Sequence, residues 1–115
     1  MNKKRVGIVG VGNVGATLAF TLATKDICSS ILLKDQRENI TQAMALDISQ
    51  ATNAANSKTV IYACLNDEEF NNCDVIVITA GVARKPGMSR DDLLLINAKI
   101  MTSVIKGIIP YNPNA

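Results

Sequence analysis

The sequence has no histidine among its 115 residues, and this absence limits the chemistry that these residues can perform alone. Histidine is the side chain most often used to move a proton near neutral pH. A reaction that needs such a proton shuttle would have to take it from elsewhere. We therefore expect the 115-residue chain by itself to show no turnover in a reaction of that kind.

Cysteine is also scarce. Cys28, Cys64 and Cys73 are odd in number and contain no Cys-x-x-Cys spacing. The pattern therefore indicates neither a disulfide framework nor a zinc site, and we predict no metal. We interpret the three cysteines as small, semi-buried hydrophobic residues, which suit a reducing cytoplasm.

Excess charge and long apolar runs are missing as well. The net charge of +2 is too small to indicate a nucleic-acid partner, and we interpret the basic residues 3–5 as the exposed start of a strand. No apolar stretch approaches membrane-spanning length, and no signal-peptide core follows the N-terminus. With 48% hydrophobic and 19% charged residues, the chain is predicted to form one globular domain with no membrane partner.

What the sequence does contain is a glycine pattern directly after an apolar run. Residues 6–9 predict a buried strand, and Gly10, Gly12 and Gly15 follow as Gly-x-Gly-x-x-Gly before an amphipathic segment. Gly10 would make the tight turn, Gly12 would let a pyrophosphate approach the backbone, and Gly15 would let the helix pack on the sheet. The predicted cofactor-binding residues of this loop are Gly10, Val11, Gly12, Asn13, Val14 and Gly15, at the positive end of the helix dipole.

An acid lies at the expected offset. Asp35 comes 20 residues after Gly15 and ends an apolar run. Its carboxylate would accept hydrogen bonds from the adenosine ribose, while a 2′-phosphate there would meet a like charge, so NAD is favoured over NADP. Lys34 should point to the opposite side of its strand from Asp35. Arg37, however, could approach a 2′-phosphate.

Strands and helices alternate along the chain. Apolar patterns predict strands at residues 5–9, 30–33, 58–64 and 74–79, and helices at 13–25 and from 37 to about 52. Residues 66–72 form a polar connection with a possible helical turn. A capping box at residues 89–92 starts a long helix that Gly107 and Pro110 should stop. The fold class is therefore α/β, a doubly wound parallel sheet in the order 3-2-1-4.

In that order the first and fourth strands flank the topological switch point, where their C-terminal ends open a ligand crevice. Thr79, Ala80 and Gly81 follow the fourth strand and are predicted to bind the cofactor there together with the glycine loop. The fourth strand would be an unpaired edge. We therefore expect residues 1–115 to be an incomplete sheet, truncated before a fifth strand and lacking a catalytic domain, which further chain or a partner completes. The alternative is a self-sufficient four-stranded domain.

A second group of residues lies in the next loop. Arg84 and Arg90 bracket a Pro-Gly turn, six residues apart. Guanidinium groups stay charged and bind carboxylates in bidentate fashion, so the pair suits a small acid with two carboxylates, or with a carboxylate and a ketone. A solvated basic turn is the alternative from composition alone. The position at the switch point favours substrate binding.

Together these segments resemble the lactate/malate dehydrogenase family, and residues 84–90 look like its malate branch. The resemblance covers essentially the whole chain and rests on residues 10–15, Asp35, residues 45–47, 78–81 and 84–93, and Asn97. It implies a Rossmann-type NAD-binding region of an oxidoreductase of the tricarboxylic acid cycle, and a homodimer or homotetramer with residues 43–54 as a possible interface.

The resemblance also implies residue roles. Arg84 would pair with the distal carboxylate of oxaloacetate, where lactate enzymes usually carry glutamine. Arg90 would polarise the keto oxygen as the catalytic contribution of this chain, and Asn97 would contact NAD. Residues 85–88 would let the loop close over the substrate. The alternatives are an L-lactate or broad 2-hydroxyacid dehydrogenase and a free-standing NAD-binding module.

Overall fold

A computed structural model describes residues 3–115 of the chain. It contains a four-stranded parallel sheet in the order β3-β2-β1-β4. The strands are β1 Lys4–Val9, β2 Cys28–Lys34, β3 Val60–Ala63 and β4 Val75–Ile78. Central strand β1 pairs with both neighbours, so that Val6 lies between Ile31 and Val75. This order confirms the fold class predicted from the sequence.

Three helices complete the domain: α1 Asn13–Thr24, α2 Glu38–Ala54 and α3 Arg90–Ile108. Short 3₁₀ turns cover Asp67–Glu69 and Ile109–Tyr111. The predicted capping box begins α3, because the Asp92 amide donates to Ser89 Oγ at 3.0 Å and the Ser89 amide donates to Asp92 Oδ2 at 3.1 Å.

The side-chain period of two divides the core between the two faces of the sheet. Ile31 and Leu33 of β2 pack in the core formed with α1 and α2. Leu32, between them, packs on the other face with Phe70 and Ile108, below α3. Both faces of β2 are therefore buried, which explains its continuous apolar sequence.

Two predicted strand starts were wrong by two residues. Strand β2 begins two residues before residue 30, and β3 begins two residues after residue 58. The expectation that Gly107 stops the last helix also fails, because α3 continues through it to Ile108. A Cβ on Gly107 would lie 2.5 Å from Asp67 Oδ2. The absence of a side chain at Gly107 therefore allows α3 to pack closely against the first 3₁₀ turn.

The three cysteines are free thiols and all are fully buried. Burial raises the pKa of Cys64 and of Cys73 to about 11. They therefore contribute to the core as neutral, small hydrophobic groups, as predicted. Within residues 3–115, no group of three or more histidine, cysteine or acidic side chains is arranged to hold a metal ion.

Helix α3 differs from the other two helices because its apolar side chains are largely exposed. Leu94 is 68% exposed and Leu95 is 63% exposed. The helical segment Arg90–Tyr111, 22 residues long, is long and apolar enough to cross a membrane by length and composition. The expectation that no stretch reaches that length is therefore wrong. Length and composition alone do not distinguish such a segment from a helix that packs in a protein core.

Candidate cofactor site

The glycine loop joins the tips of three strands. Gly10 has φ +100°, a conformation that side chains rarely adopt, and its amide donates to the Lys34 carbonyl at the end of β2, at 2.8 Å. A Cβ on Gly10 would lie 2.6 Å from the backbone nitrogen of Ala80, just after β4. Only glycine therefore lets β1, β2 and β4 converge at this point.

Thr79 fixes the loop from the β4 side. Its amide donates to the Val9 carbonyl at 2.8 Å, and its hydroxyl donates to the Gly10 carbonyl at 2.9 Å. The structure thus brings the segment 79–81 against the glycine loop, as the predicted switch point requires.

Gly15 and Gly12 lie in very different surroundings. A Cβ on Gly15 would overlap the carbonyl oxygen of Gly10, so α1 can approach the loop only with glycine at this position. A Cβ on Gly12 would meet nothing within 4 Å. Gly12 is also the N-cap of α1, and no side chain of the described residues caps the helix there. The first turn of α1 therefore presents backbone N–H groups to open space, which fits a pyrophosphate.

Asp35 lies beside the glycine loop and is tightly held. Its Oδ2 accepts from the Val11 amide at 2.8 Å, and its Oδ1 accepts from the Arg37 amide at 3.0 Å. The Arg37 guanidinium donates to both oxygens, from Nε to Oδ1 at 3.0 Å and from Nη2 to Oδ2 at 3.1 Å. The guanidinium, with smaller contributions from the two amides, lowers the pKa of Asp35 to about 2.

Lys34 belongs to the other face of β2. It follows Leu32 by two residues, and its Nζ pairs with Asp67 Oδ1 at 3.3 Å, on the side where α3 packs. Lys34 and Asp35 nevertheless border the same cavity, because this cavity lies at the carboxyl edge of the sheet and reaches both faces.

The cavity has a volume of about 460 Å³. Of the residues predicted to bind the cofactor, those that line it are Gly10, Gly12, Asp35, Thr79, Ala80 and Gly81. The other four predicted residues do not line it: Val11, Asn13, Val14 and Gly15. They belong to the glycine loop and the first turn of α1, and the Val11 amide donates to Asp35. The cavity thus combines an open helix N-terminus with a carboxylate, the two groups that an adenine dinucleotide needs.

Sequence reasoning missed the contribution of α3 to this cavity. Ile100, Ser103, Val104 and Ile108 form one wall of it, and Asp67 borders it from the 3₁₀ turn. The spacing of four between Ile100, Val104 and Ile108 was the available signal, since it places the three side chains on one helix face. Ser103 gave no signal of its own.

The loop after β4 lies apart from this cavity. Arg84 is exposed, and its Nε donates to the Met88 carbonyl at 3.2 Å, across the Pro-Gly turn. Arg90 is exposed in the first turn of α3. Neither arginine lines the cavity described above, and a second, open cavity lies between residues 85–88 and α3. The structure therefore places Arg84 on the loop after β4 and Arg90 at the start of α3, and it brings neither onto the cofactor cavity.

Asn97 anchors the same loop to α3. Its Oδ1 accepts from the Val82 amide at 2.9 Å, and its Nδ2 donates to the Val82 carbonyl at 3.4 Å. Asn97 is not among the residues that line the 460 Å³ cavity in the described chain. Its predicted contact with NAD stays a prediction.

The fold and this site define a class of protein, the dinucleotide-binding α/β domains. Comparison with known proteins identifies a family within this class. Residues 4–115 match the family described as lactate/malate dehydrogenase, NAD binding domain. The chain belongs to this family, and its cofactor is NAD.

Three similar proteins illustrate the relationship. The chain is 66% identical to a malate dehydrogenase of Aliarcobacter butzleri (strain RM4018) over 115 residues, which are 100% of this chain and 37% of that protein. The crystal structure of Cryptosporidium parvum malate dehydrogenase matches with TM-score 0.88 and 41% identity, over 98% of this chain and 36% of that one. Malate dehydrogenase from Archaeoglobus fulgidus in complex with NADH gives TM-score 0.90 and 34% identity, over 96% and 38%. The chain therefore spans little more than a third of the length of these relatives.

The Asp35–Arg37 pair predicts a pH dependence of stability. Because the folded pKa of Asp35 is about 2, below its ordinary value of 3.8, the pair stabilises the fold above about pH 4 and this contribution disappears as the pH falls through 2. We expect it to be about 1 kcal/mol, since solvent screens the exposed guanidinium. Urea unfolding of the chain and of Asp35→Asn should differ by this amount at pH 6 and converge towards pH 2.

Asp91→Asn is the matched control for this measurement. Asp91 is exposed, and within residues 3–115 its carboxylate takes part in no hydrogen bond or ion pair. A difference between Asp35→Asn and the unmodified chain that stays constant from pH 6 to pH 2 would contradict the assigned pair.

Proposed function

We propose that this chain is the cofactor-binding part, with the substrate loop, of an NAD-dependent malate dehydrogenase that interconverts (S)-malate and oxaloacetate. The observation that supports this substrate is the position of Arg84. Its exposed guanidinium lies on the loop that follows β4 at the cofactor edge of the sheet. A cation there suits a second carboxylate on the substrate and would be left unpaired by the methyl group of pyruvate.

The residues of the site would hold NAD at two places. The backbone N–H groups at the start of α1 would bind the diphosphate over Gly12, and Asp35 would accept hydrogen bonds from the adenosine ribose. When bound, NAD supplies the hydride acceptor or donor for the substrate carbon.

The arginines would act on the substrate. Arg84 would bind the distal carboxylate of the dicarboxylate in bidentate fashion. Arg90 would donate a hydrogen bond to the keto oxygen and stabilise the negative charge that develops there. The Pro-Gly turn at residues 85–88 would allow the loop to fold over the substrate and exclude water. Asn97, through its two bonds to Val82, would hold the base of this loop on α3.

The same proposal accounts for the exposed surfaces. We interpret α3, whose apolar side chains are largely exposed here, as a core helix of the proposed enzyme and not as a membrane span. By analogy with the family, we propose the segment 43–54, which includes the exposed Leu46, as the contact of a homodimer or homotetramer. We also propose a cytoplasmic location, which the three free cysteines suit, and a role in the tricarboxylic acid cycle.

The direct test is steady-state oxidation of NADH by the full-length protein with oxaloacetate or pyruvate as the second substrate. We expect kcat/KM for oxaloacetate to exceed that for pyruvate by at least about 100-fold. A preference for pyruvate would favour the lactate or broad 2-hydroxyacid alternative. Binding of NADH without turnover of either acid would favour the NAD-binding module. Residues 1–115 alone should show no turnover, because they contain no histidine to move the proton.

A further inference from the structure

The Asp35 carboxylate has no free acceptor position. Each of its oxygens accepts two hydrogen bonds, one from a backbone amide and one from the Arg37 guanidinium. A carboxylate offers about four lone-pair sites in total. A ribose hydroxyl therefore has no acceptor on Asp35 unless one of these four donors leaves.

The guanidinium is the donor that can leave. The Val11 and Arg37 amides are fixed by the glycine loop and by the start of α2, whereas the Arg37 side chain is 57% exposed and Asp35 only 11% exposed. Departure of the guanidinium would free one site on each oxygen, at Oδ1 and at Oδ2. Two adjacent free acceptors match the two neighbouring hydroxyls of an adenosine ribose.

The charges around the carboxylate show where a displaced guanidinium would act. Four charged side chains border this part of the cavity: Lys34, Asp35, Arg37 and Asp67. Lys34 is occupied by Asp67 at 3.3 Å. Once released from Asp35, Arg37 is the cation available to an anion attached to the ribose.

We propose that Arg37 sets the cofactor selectivity of this site: it competes with the NAD ribose for Asp35, and it binds the 2′-phosphate when NADP takes the place of NAD. This deepens the proposed function, on whose NAD site it rests. The guanidinium penalises NAD by occupying the acceptors and favours NADP by offsetting the repulsion between phosphate and Asp35. We therefore expect a smaller preference for NADH over NADPH than a site with Asp35 and no Arg37 would have.

The test is calorimetric titration of the full-length protein with NADH and with NADPH, for the unmodified protein, Arg37→Gln and Arg37→Lys. Arg37→Gln should weaken NADPH binding by about tenfold or more and make NADH binding a few-fold tighter, because the competing guanidinium is removed. Arg37→Lys keeps the positive charge but loses the planar, bidentate geometry of the guanidinium, and it should retain NADPH affinity within about threefold. Added salt should weaken NADPH binding more than NADH binding in the unmodified protein.

Other outcomes overturn the proposal. An equal loss of NADH and NADPH binding in Arg37→Gln would mean that Arg37 only orients Asp35. A ratio of the two Kd values that does not change in Arg37→Gln would mean that Arg37 has no part in selectivity. Lys99→Gln, an exposed cation on α3 outside both described cavities, is the charge-matched control, and thermal unfolding checks that each variant is folded.

These readouts are independent of the substrate. If the full-length protein binds NADH but does not reduce oxaloacetate, the proposed reaction fails while the selectivity assigned to Arg37 is still measured. If oxaloacetate is reduced and the ratio of Kd values is unaffected by Arg37→Gln, only the selectivity proposal fails.

Discussion

Replacement of Arg84 by glutamine in the full-length protein is expected to lower kcat/KM for oxaloacetate by about 10³-fold and to raise that for pyruvate. Loss of the guanidinium leaves the distal carboxylate of the dicarboxylate unpaired in a closed site, which costs about 3–5 kcal/mol. Pyruvate has a methyl group at that position, and it gains because the uncompensated cation is removed. The ratio of the two kcat/KM values is the quantity to measure, with NADH saturating.

Two further variants separate charge from position. Arg84→Lys keeps a positive charge but cannot bind a carboxylate in the bidentate geometry of a guanidinium. Its ratio of kcat/KM for oxaloacetate to kcat/KM for pyruvate should lie between those of the unmodified protein and Arg84→Gln. Lys99→Gln removes one positive charge from exposed α3 and should leave the ratio unchanged. If Arg84→Gln reduced both substrates equally, Arg84 would be a structural residue of the loop, in line with its bond to the Met88 carbonyl.

The second large effect is expected at Gly12. Gly12→Ala should weaken NADH binding by about 100-fold and leave the free energy of unfolding almost unchanged. The added methyl group meets nothing within 4 Å in the folded chain, and φ at Gly12 is −81°, which alanine tolerates. It would, however, occupy the space over the start of α1 where we place the diphosphate. Calorimetric titration with NADH and urea unfolding measure the two quantities.

Gly15→Ala is the matched control three residues away. Its methyl group would overlap the Gly10 carbonyl oxygen, so this variant should lose both NADH binding and about 1–3 kcal/mol of stability. The contrast between the two variants distinguishes a ligand contact from a packing contact. NADH affinity that survives in Gly12→Ala would contradict the diphosphate position that we propose.

The sequence predicted the sheet order because strand-forming and helix-forming periodicities alternate clearly and right-handed crossovers leave few topologies. The boundary errors at β2 and β3 have tertiary causes. Strand β2 starts early because Cys28 pairs with Lys4 of β1. Strand β3 starts late because the amides of Lys58 and Thr59 donate to the side chains of Asp26 and Ser57. Gly107 was misjudged because a glycine that ends a helix and one that allows close packing look the same in sequence. The wall that α3 contributes to the cavity was missed because the spacing of Ile100, Val104 and Ile108 marks one helix face without showing that this face borders the cavity.

By itself the sequence determined the family, the cofactor and the order of the strands, because these depend on local spacing: glycines at a strand end, an acid 20 residues later, apolar residues at regular periods. The tertiary structure alone decided the state of Asp35. Four donors from Val11 and Arg37 converge on its carboxylate, and their convergence depends on how the tips of β1 and β2 are juxtaposed. Hydrogen-bond saturation is a property of atoms in space, and residue spacing does not encode it.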